Sequence, residues 1–375
     1  MVAEFFSRPL IELVAFMLFT TGTVVLLVIL LAYYVKLAVR KEKGLSTDNV
    51  PLTVMIFVHN EQYKIESIVR DLLVQAPPQL EIVIIDMYSE DDTATVLTTM
   101  SRRFPQLKIS FLREEIRFYD KIAINLAVKA ASNERLVIVP PTAENVSPDY
   151  ARMVASVTSE EPVPAIGYNN LAPGRGFLRL LCRTERFFNF LTTAVWSAAR
   201  IPMFFQATNV MFNRSLYLNA DGFRGKMNRA FANVELLFNE TGRHKTEVIL
   251  SPQANLLEDD TLQLSDFAEL VQRRIMLRRS LATYKRLLLS AEDAAKCLLT
   301  AGFILMLLFD RNYWLFYTPY LPVFILHLFI IRKILNKLHE KALFFPVILY
   351  MFIRPLASIY HRLLLFFHLQ RKRWI

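Results

Sequence analysis

Between Glu12 and Lys36 the chain runs from Leu13 to Val35 without a charged residue. At about 1.5 Å of rise per residue, a helix over that run is roughly 34 Å long, enough to cross a hydrocarbon core of about 30 Å. A cleaved signal peptide fits poorly. Its apolar region would be too long, Glu4 and Glu12 stand beside a single Arg8, and no small-residue cleavage site comes after it. Lys36, Arg40, Lys41 and Lys43 come directly after the run. By the positive-inside rule the N-terminus then faces outward and the body of the protein faces the cytoplasm.

Composition supports a membrane-associated globular protein. Of 375 residues, 54% are apolar and 21% charged, which excludes a disordered chain. Two cysteines, Cys182 and Cys297, exclude a disulfide scaffold and any multi-cysteine metal site. The formal net charge of +10 could serve nucleic acid or a membrane surface. The long apolar run favours the membrane, so no nucleic-acid partner is expected. A second apolar block, Ala294–Phe309 and Tyr313–Ile331, is interrupted by Asp310, Arg311 and Asn312 and reads as a transmembrane hairpin. Arg332, Lys333 and Lys337 mark its return to the cytoplasm. In the tail, Ala342–Ile353 is apolar, but Pro346, Arg354, Pro355, His361 and Arg362 break up the pattern. A spanning helix there would put Arg371, Lys372 and Arg373 outside, against the charge rule, so broken, interfacial or re-entrant helices are expected. The chain thus divides into an anchor over 1–43, a body over 44–290 and membrane elements over 291–375.

The body alternates short β-rich runs with helical periodicity. Leu52–Val58 reads as a strand ending at His59, Asn60 and Glu61, succeeded by a helix with Ile65, Ile68, Val69, Leu72 and Leu73 on one face. Glu81–Ile85 is a strand stopping at Asp86, and Ser89–Asp92 is a loop leading into a helix over Thr93–Phe104. Next come a strand over Lys108–Leu112, a helix over Ile122–Ala131 and a strand over Arg135–Val139. Continuous Ile/Val strands separated by helices indicate an α/β, Rossmann-like, mostly parallel sheet with helices on both faces. Ligands on such sheets bind at the carboxyl ends of the strands. His59, Asn60, Asp86 and the Pro140–Asn145 loop should therefore share one rim.

The common nucleotide and hydrolase motifs are missing. No phosphate loop, GxGxxG turn, GxSxG elbow or HxxxH pair occurs, so chemistry must come from carboxylates, amides and basic residues. The segment Phe177–Trp196 sets Phe187, Phe188, Phe190 and Trp196 beside Arg179, Arg183 and Arg186. It reads either as core packing or as an interfacial helix presenting a lipid or glycan acceptor.

The stretch Leu52–Thr93 resembles the opening of family 2 glycosyltransferases of the GT-A fold. Those open with a strand ending in P-x-Y-N-E, then a helix, then a strand ending in D-D-G-S. Asn60, Glu61, Asp86 and Ser89 match, while His59, Met87 and Tyr88 depart. Asp120–Asn125 resembles the family's G-K-x-x-A-L-N helix start and keeps Lys121 and Asn125. Pro202–Phe212, with Asn209, and Ala232–Glu240 are similar to segments of the membrane-anchored bacterial branch. The resemblance covers about 230 residues in the right order and includes the flanking membrane helices. It implies a nucleotide-diphospho-sugar donor, with Asp86 accepting hydrogen bonds from uracil or ribose. Val58, His59, Asn60 and Glu61 would pack the nucleotide, and Lys121 would meet a phosphate. Asn209, Gln272, Arg274 and Arg278 would lie toward the acceptor or diphosphate. Three residues, Asn60, Asp86 and Lys121, should converge on one pocket.

Departures fall where the chemistry should be. The family's D-x-D strand end, which holds magnesium or manganese against the diphosphate, reads Val139-Pro140-Pro141-Thr142-Ala143-Glu144-Asn145, leaving Glu144 as its acid. The acidic group containing the general base reads Asn233-Val234-Glu235, so Glu235 is the candidate base if it points into the cleft. The Q-x-x-R-W helix keeps Gln272 but neither arginine nor tryptophan at its spacing. Arg274 or Arg278 substitutes, or these arginines anchor the helix to anionic lipid. Two functions are consistent with this pattern. One is a multi-pass inner-membrane glycosyltransferase with its soluble domain in the cytoplasm, inverting, acting on a glycan or lipid-linked acceptor. The other is an inactive relative serving as a binding or scaffold subunit in envelope glycan assembly. Too few helices are present for the inverted repeats of a transporter.

Overall fold

The computed structural model describes residues 10–41, 44, 51–74, 79–114, 119–157, 163–229, 231–309 and 320–368. The chain divides into two compact units, Lys41–Ser280 and the flanking segments Met1–Arg40 with Leu281–Ile375. The division falls at Ser280 because the next helix, beginning at Thr283, packs with the flanking helices.

After helix α1 (Leu10–Val39), the body opens with β1 (Leu52–Val58), α2 (Ile65–Val74), β2 (Leu80–Asp86), α3 (Thr93–Arg103), β3 (Leu107–Phe111), α4 (Tyr119–Ala130) and β4 (Arg135–Val139). It continues with β5 (Ala143–Glu144), α5 (Tyr150–Val157), β6 (Ala165–Ile166), β7 (Asn169–Leu171), α6 (Phe177–Ala198), β8 (Val210–Asn213) and α7 (Arg214–Asn219). The body closes with α8 (Glu235–Asn239), β9 (Glu247–Val248), β10 (Leu256–Glu258) and α9 (Leu264–Arg279). The main sheet has the order β3-β2-β1-β4-β8-β6-β9. Strands β3, β2, β1 and β4 run parallel, and β8 joins β4 antiparallel. β1 reads as an unbroken apolar run because both its faces are covered: Leu52, Val54, Met55, Ile56 and Val58 are all buried. The period-3.6 face of α2, Ile65, Ile68, Val69 and Leu72, is buried in the same core. A second sheet sets β10 between β5 and β7.

Chain order places the site. The chain leaves β1 toward β2 and β3 on one side and returns to β4 on the other, so the sheet has its switch point between the carboxyl ends of β1 and β4. Helix α6 settles the alternatives left open for Phe177–Trp196. Phe187, Phe188, Phe190 and Trp196 are buried, so the aromatic stripe is core rather than a lipid-facing surface.

In the other unit, α1 contains a π-helical turn over Leu30–Tyr34 and packs beside α10 (Thr283–Phe309). Glycines make that approach close. A Cβ on Gly22 would lie 2.6 Å from the Leu299 backbone nitrogen, and one on Gly302 would lie 2.5 Å from that of Phe19. Small residues at such crossings let helix backbones meet where no hydrophobic force acts between helices. From the π-helical turn, the Tyr34 hydroxyl donates to Glu292 Oε1 at 2.7 Å, which Lys296 also meets at 2.8 Å. α11 (Tyr320–Lys337) and α12 (Phe344–His368) complete the unit. The turn of the expected hairpin, Asp310–Asn312, lies outside the described residues, as do Arg371–Arg373.

Leu10–Val39 and Lys341–Leu365 are, among the described residues, the two helices long and apolar enough to cross a membrane. One part of the expectation for the tail is corrected: α12 continues through Pro355 instead of breaking there. A proline removes one N–H, a loss that helices in an apolar setting tolerate. Val24, Val28, Leu307, Leu308, Leu349 and Leu356 are among the large apolar side chains these helices leave exposed.

The glycine contacts give a test. Gly302→Leu should lower the melting temperature of the full chain in detergent, by an amount corresponding to about 1–3 kcal/mol of overpacking. Gly242→Ala, whose Cβ meets nothing within 4 Å, should leave it unchanged. Equal melting of both variants would remove the close crossing.

Candidate functional site

In-register pairing aligns the strand ends. Val58 pairs with Asp86, and Asp86 with Phe111, so the loops after β1 and β2 leave side by side. Those loops are bound together by polar side chains. Ser89 Oγ donates to Asp86 Oδ1 at 2.6 Å and accepts from the Asn60 backbone N–H at 3.0 Å. The Ser89 N–H also donates to Asp86 Oδ1, at 3.0 Å, and the Glu90 N–H donates to Asn60 Oδ1 at 2.8 Å. Asn60 and Tyr88 hold positive φ of 57° and 64°, the left-handed conformation such tight loops require. His59 Nδ1 lies 3.0 Å from the Met87 carbonyl, so Nδ1 carries the proton and Nε2 is free to accept from the Asn60 amide at 3.3 Å. Val58 is buried and its carbonyl accepts from the Met87 N–H at 2.8 Å. The Glu61 N–H donates to Thr93 Oγ1 at 2.9 Å, tying the same loop to α3. Burial, then the pull of Lys64 against the repulsion of Asp260 and Asp91, leaves the Glu61 carboxyl above its usual range.

A second group of charges gathers at the switch point. The Thr142 hydroxyl, in the loop after β4, lies 3.2 Å from Glu258 Oε2 and 3.3 Å from Asp260 Oδ2. Glu258 Oε1 accepts from Asn169 Nδ2 at 2.7 Å and from Arg186 Nη1 at 2.9 Å. Arg179 donates to Asp259 Oδ1 at 3.1 Å and to the Asp260 carbonyl at 2.7 Å. Lys64, in the loop after β1, donates to the Asp259 carbonyl at 2.6 Å and approaches Asp260 Oδ1 at 3.4 Å. Burial and then Glu258 raise the Asp260 carboxyl, with Lys64 opposing them. This group answers to no motif in the sequence. Its one signal there is the run Glu258-Asp259-Asp260, which becomes meaningful only because β10 pairs with β5 beside Thr142.

These residues do not fit a divalent cation. No group of three or more His, Cys, Asp or Glu able to hold one occurs among the described residues. Both oxygens of Glu258 already accept from donors. Glu144, the acid left in the D-x-D segment, is exposed, while its neighbour Ala143 is buried opposite Glu258, so alternation along β5 turns Glu144 away from that pair.

The remaining expected site residues stand elsewhere. Glu235 is fully buried: Oε1 accepts from Arg273 Nη2 at 2.5 Å and Oε2 from the Asn233 N–H at 2.8 Å. It is an ion-pair partner and not a base facing a cleft. Lys121 is buried too, with Nζ donating to the Arg229 carbonyl at 2.7 Å. Burial lowers its ammonium's pKa, with Asp120 and Glu235 pushing it back up. Arg274 is paired with buried Glu185 at 2.6 Å, which removes its charge from lipid and diphosphate alike. Asn209, at positive φ of 52°, has its amide engaged on both sides. Nδ2 donates to the carbonyls of Tyr168 and Ala254, each at 2.8 Å, and Oδ1 accepts from the Tyr150 hydroxyl at 3.0 Å. It ties the Tyr168 and Ala254 backbone to Tyr150. Gln272 and Arg278 are half-buried on α9.

If Glu235 acts through its ion pair, Glu235→Gln should destabilise the body by about 1–2 kcal/mol, the loss of a charged hydrogen bond to an Arg273 side chain that is itself 37% exposed. Arg273→Met added to it should recover much of the loss in thermal denaturation. Unchanged melting with lost turnover would return Glu235 to catalysis.

Residues 53–168 match the family model described as glycosyl transferase family 2. A mannosyltransferase from Pyrobaculum calidifontis, solved with GDP-Man and Mn2+, superposes with a TM-score of 0.53 at 16% identity. The match covers 91% of this chain and 98% of that one. S. aureus TarS 1-349 gives 0.39 at 13% identity, over 87% of this chain and 93% of that one. Glucosyl-3-phosphoglycerate synthase from Mycobacterium tuberculosis gives 0.41 at 15%, over 62% and 80%. No curated protein matches the sequence.

Proposed function

From the premise that this chain carries a glycosyl transferase family 2 segment within a GT-A fold, we propose that it binds a nucleotide-diphospho-sugar and transfers the sugar to an acceptor at a membrane surface. The observation that carries the reading is the Asn60–Ser89–Asp86 hydrogen-bonded loop pair, set beside the switch point of a parallel sheet. Backbone N–H groups, a buried carboxylate and an exposed histidine can there read a base and ribose. The mannosyltransferase of the same fold was solved with GDP-Man, which makes guanosine diphosphate sugars the donors to try first, with uridine diphosphate sugars beside them. The basic residues Lys36, Arg40 and Lys41 at the end of α1 favour a cytoplasmic body on a multi-pass inner-membrane protein, with a glycan or lipid-linked acceptor.

A second reading has its own observation. The position expected of the general base lies in a buried ion pair, as a retained fold without turnover would allow. On that reading the chain is a donor-binding or scaffold subunit of envelope glycan assembly.

Titration of the full chain in detergent with UDP- and GDP-sugars should give saturable binding. Asp86→Ala should weaken it at least tenfold, and Ser89→Ala less. Sugar release or transfer by the wild type supports the enzyme; binding without turnover supports the scaffold. Affinity unchanged in Asp86→Ala would remove the assigned donor site.

A further inference from the structure

We propose that the Lys64 ammonium is the cation of the donor site, standing against the diphosphate in the place where this fold otherwise sets a divalent metal ion. The inference rests on the donor-site reading above and adds to it the group that meets the negative charge.

Lys64 stands where a diphosphate would need it. It lies shortly after Asn60 in the loop leaving β1, with its N–H bonded to the Glu61 carbonyl at 3.1 Å. Its ammonium reaches Asp260, which in turn lies against Thr142 in the loop leaving β4. Those two loops are the walls of the switch point, the crevice in which ligands of such sheets sit. Thr142 belongs to the segment where paired acids would hold a metal, and the nearby acids come instead from the end of β10.

The ammonium also has bonding capacity to spare. An ammonium has three N–H donors. Asp259's carbonyl takes one at 2.6 Å, and Asp260 Oδ1 holds a second only loosely at 3.4 Å. The side chain keeps 36% of its surface open. Lys121, the cation expected for this task, is buried and occupied by the Arg229 carbonyl. Arg274 is held by Glu185 and Arg273 by Glu235. Lys64 thus combines exposure, a loose partner and a place on the rim.

Glu258, Asp259 and Asp260 stand against Lys64, Arg179 and Arg186, and Glu61 is close enough to feel both Lys64 and Asp260. Asp260 would do for the ammonium what an aspartate does for a metal: hold it in place while leaving a face open to phosphate oxygens. A lysine suits this role as a compact point charge on a stem it can swing.

The test is titration of the full chain in detergent with uridine diphosphate and guanosine diphosphate, each in excess EDTA and again with Mn2+. The wild type should bind one of them with affinities within threefold in the two conditions. Lys64→Met should weaken binding at least tenfold in both, and Lys64→Arg should recover part of the loss, all three proteins melting alike. Manganese tightening the wild type tenfold or more overturns the proposal without any variant. So does unchanged affinity in Lys64→Met, and in both of these cases the donor site itself stands. Binding of neither nucleotide in either condition overturns the donor-site reading, and this inference with it.

Discussion

Parallel pairing of β1 with β2 and β4 decides where each polar group of the rim stands. Val58 opposite Asp86 brings two loops out of the sheet at the same height, and Ser89 can then bond to both Asp86 and Asn60. A slip of one residue would turn Asp86 to the other face of β2 and separate the loops. Both faces of β1 and β2 are buried, so the strands that carry these loops are packed from above and below. The rim's geometry is thus inherited from the core, while its chemistry comes from the loops.

Low polarity inside the body sorts the charged residues into two kinds. Where a carboxylate is buried, desolvation demands a partner, and one is found: Glu235 with Arg273, Glu185 with Arg274, Glu258 with Arg186. These pairs hold helices and strands together. At the rim the partners are looser and more open, as with Asp260 and Lys64 at 3.4 Å. Groups that meet a ligand are to be sought among the second kind.

Helices of the flanking unit meet by close approach. α1 and α10 approach through Gly22 and Gly302, and the Tyr34–Glu292–Lys296 group adds direction to that contact. Pro355 remains inside α12, whose backbone continues on both sides of it.

Local pattern alone determined much of this protein. Unbroken Ile/Val runs specified the parallel strands, the 3.6 period of Ile65, Ile68, Val69 and Leu72 specified α2, and the uncharged stretch before Lys36 specified the first long apolar helix, because burial depends on side-chain type at fixed spacing. Asn60, Asp86 and Ser89 were legible for the same reason: they lie at strand ends only a few residues from the elements that place them. Distant pairing decided the rest. Whether Glu235 faced a cleft, whether Lys121 and Arg274 were free, and whether Glu258 and Asp260 reached Thr142 all depended on contacts between residues tens to more than a hundred positions apart. A carboxylate's role is set by which cation and how much water surround it, and that surrounding exists only once the chain has closed on itself.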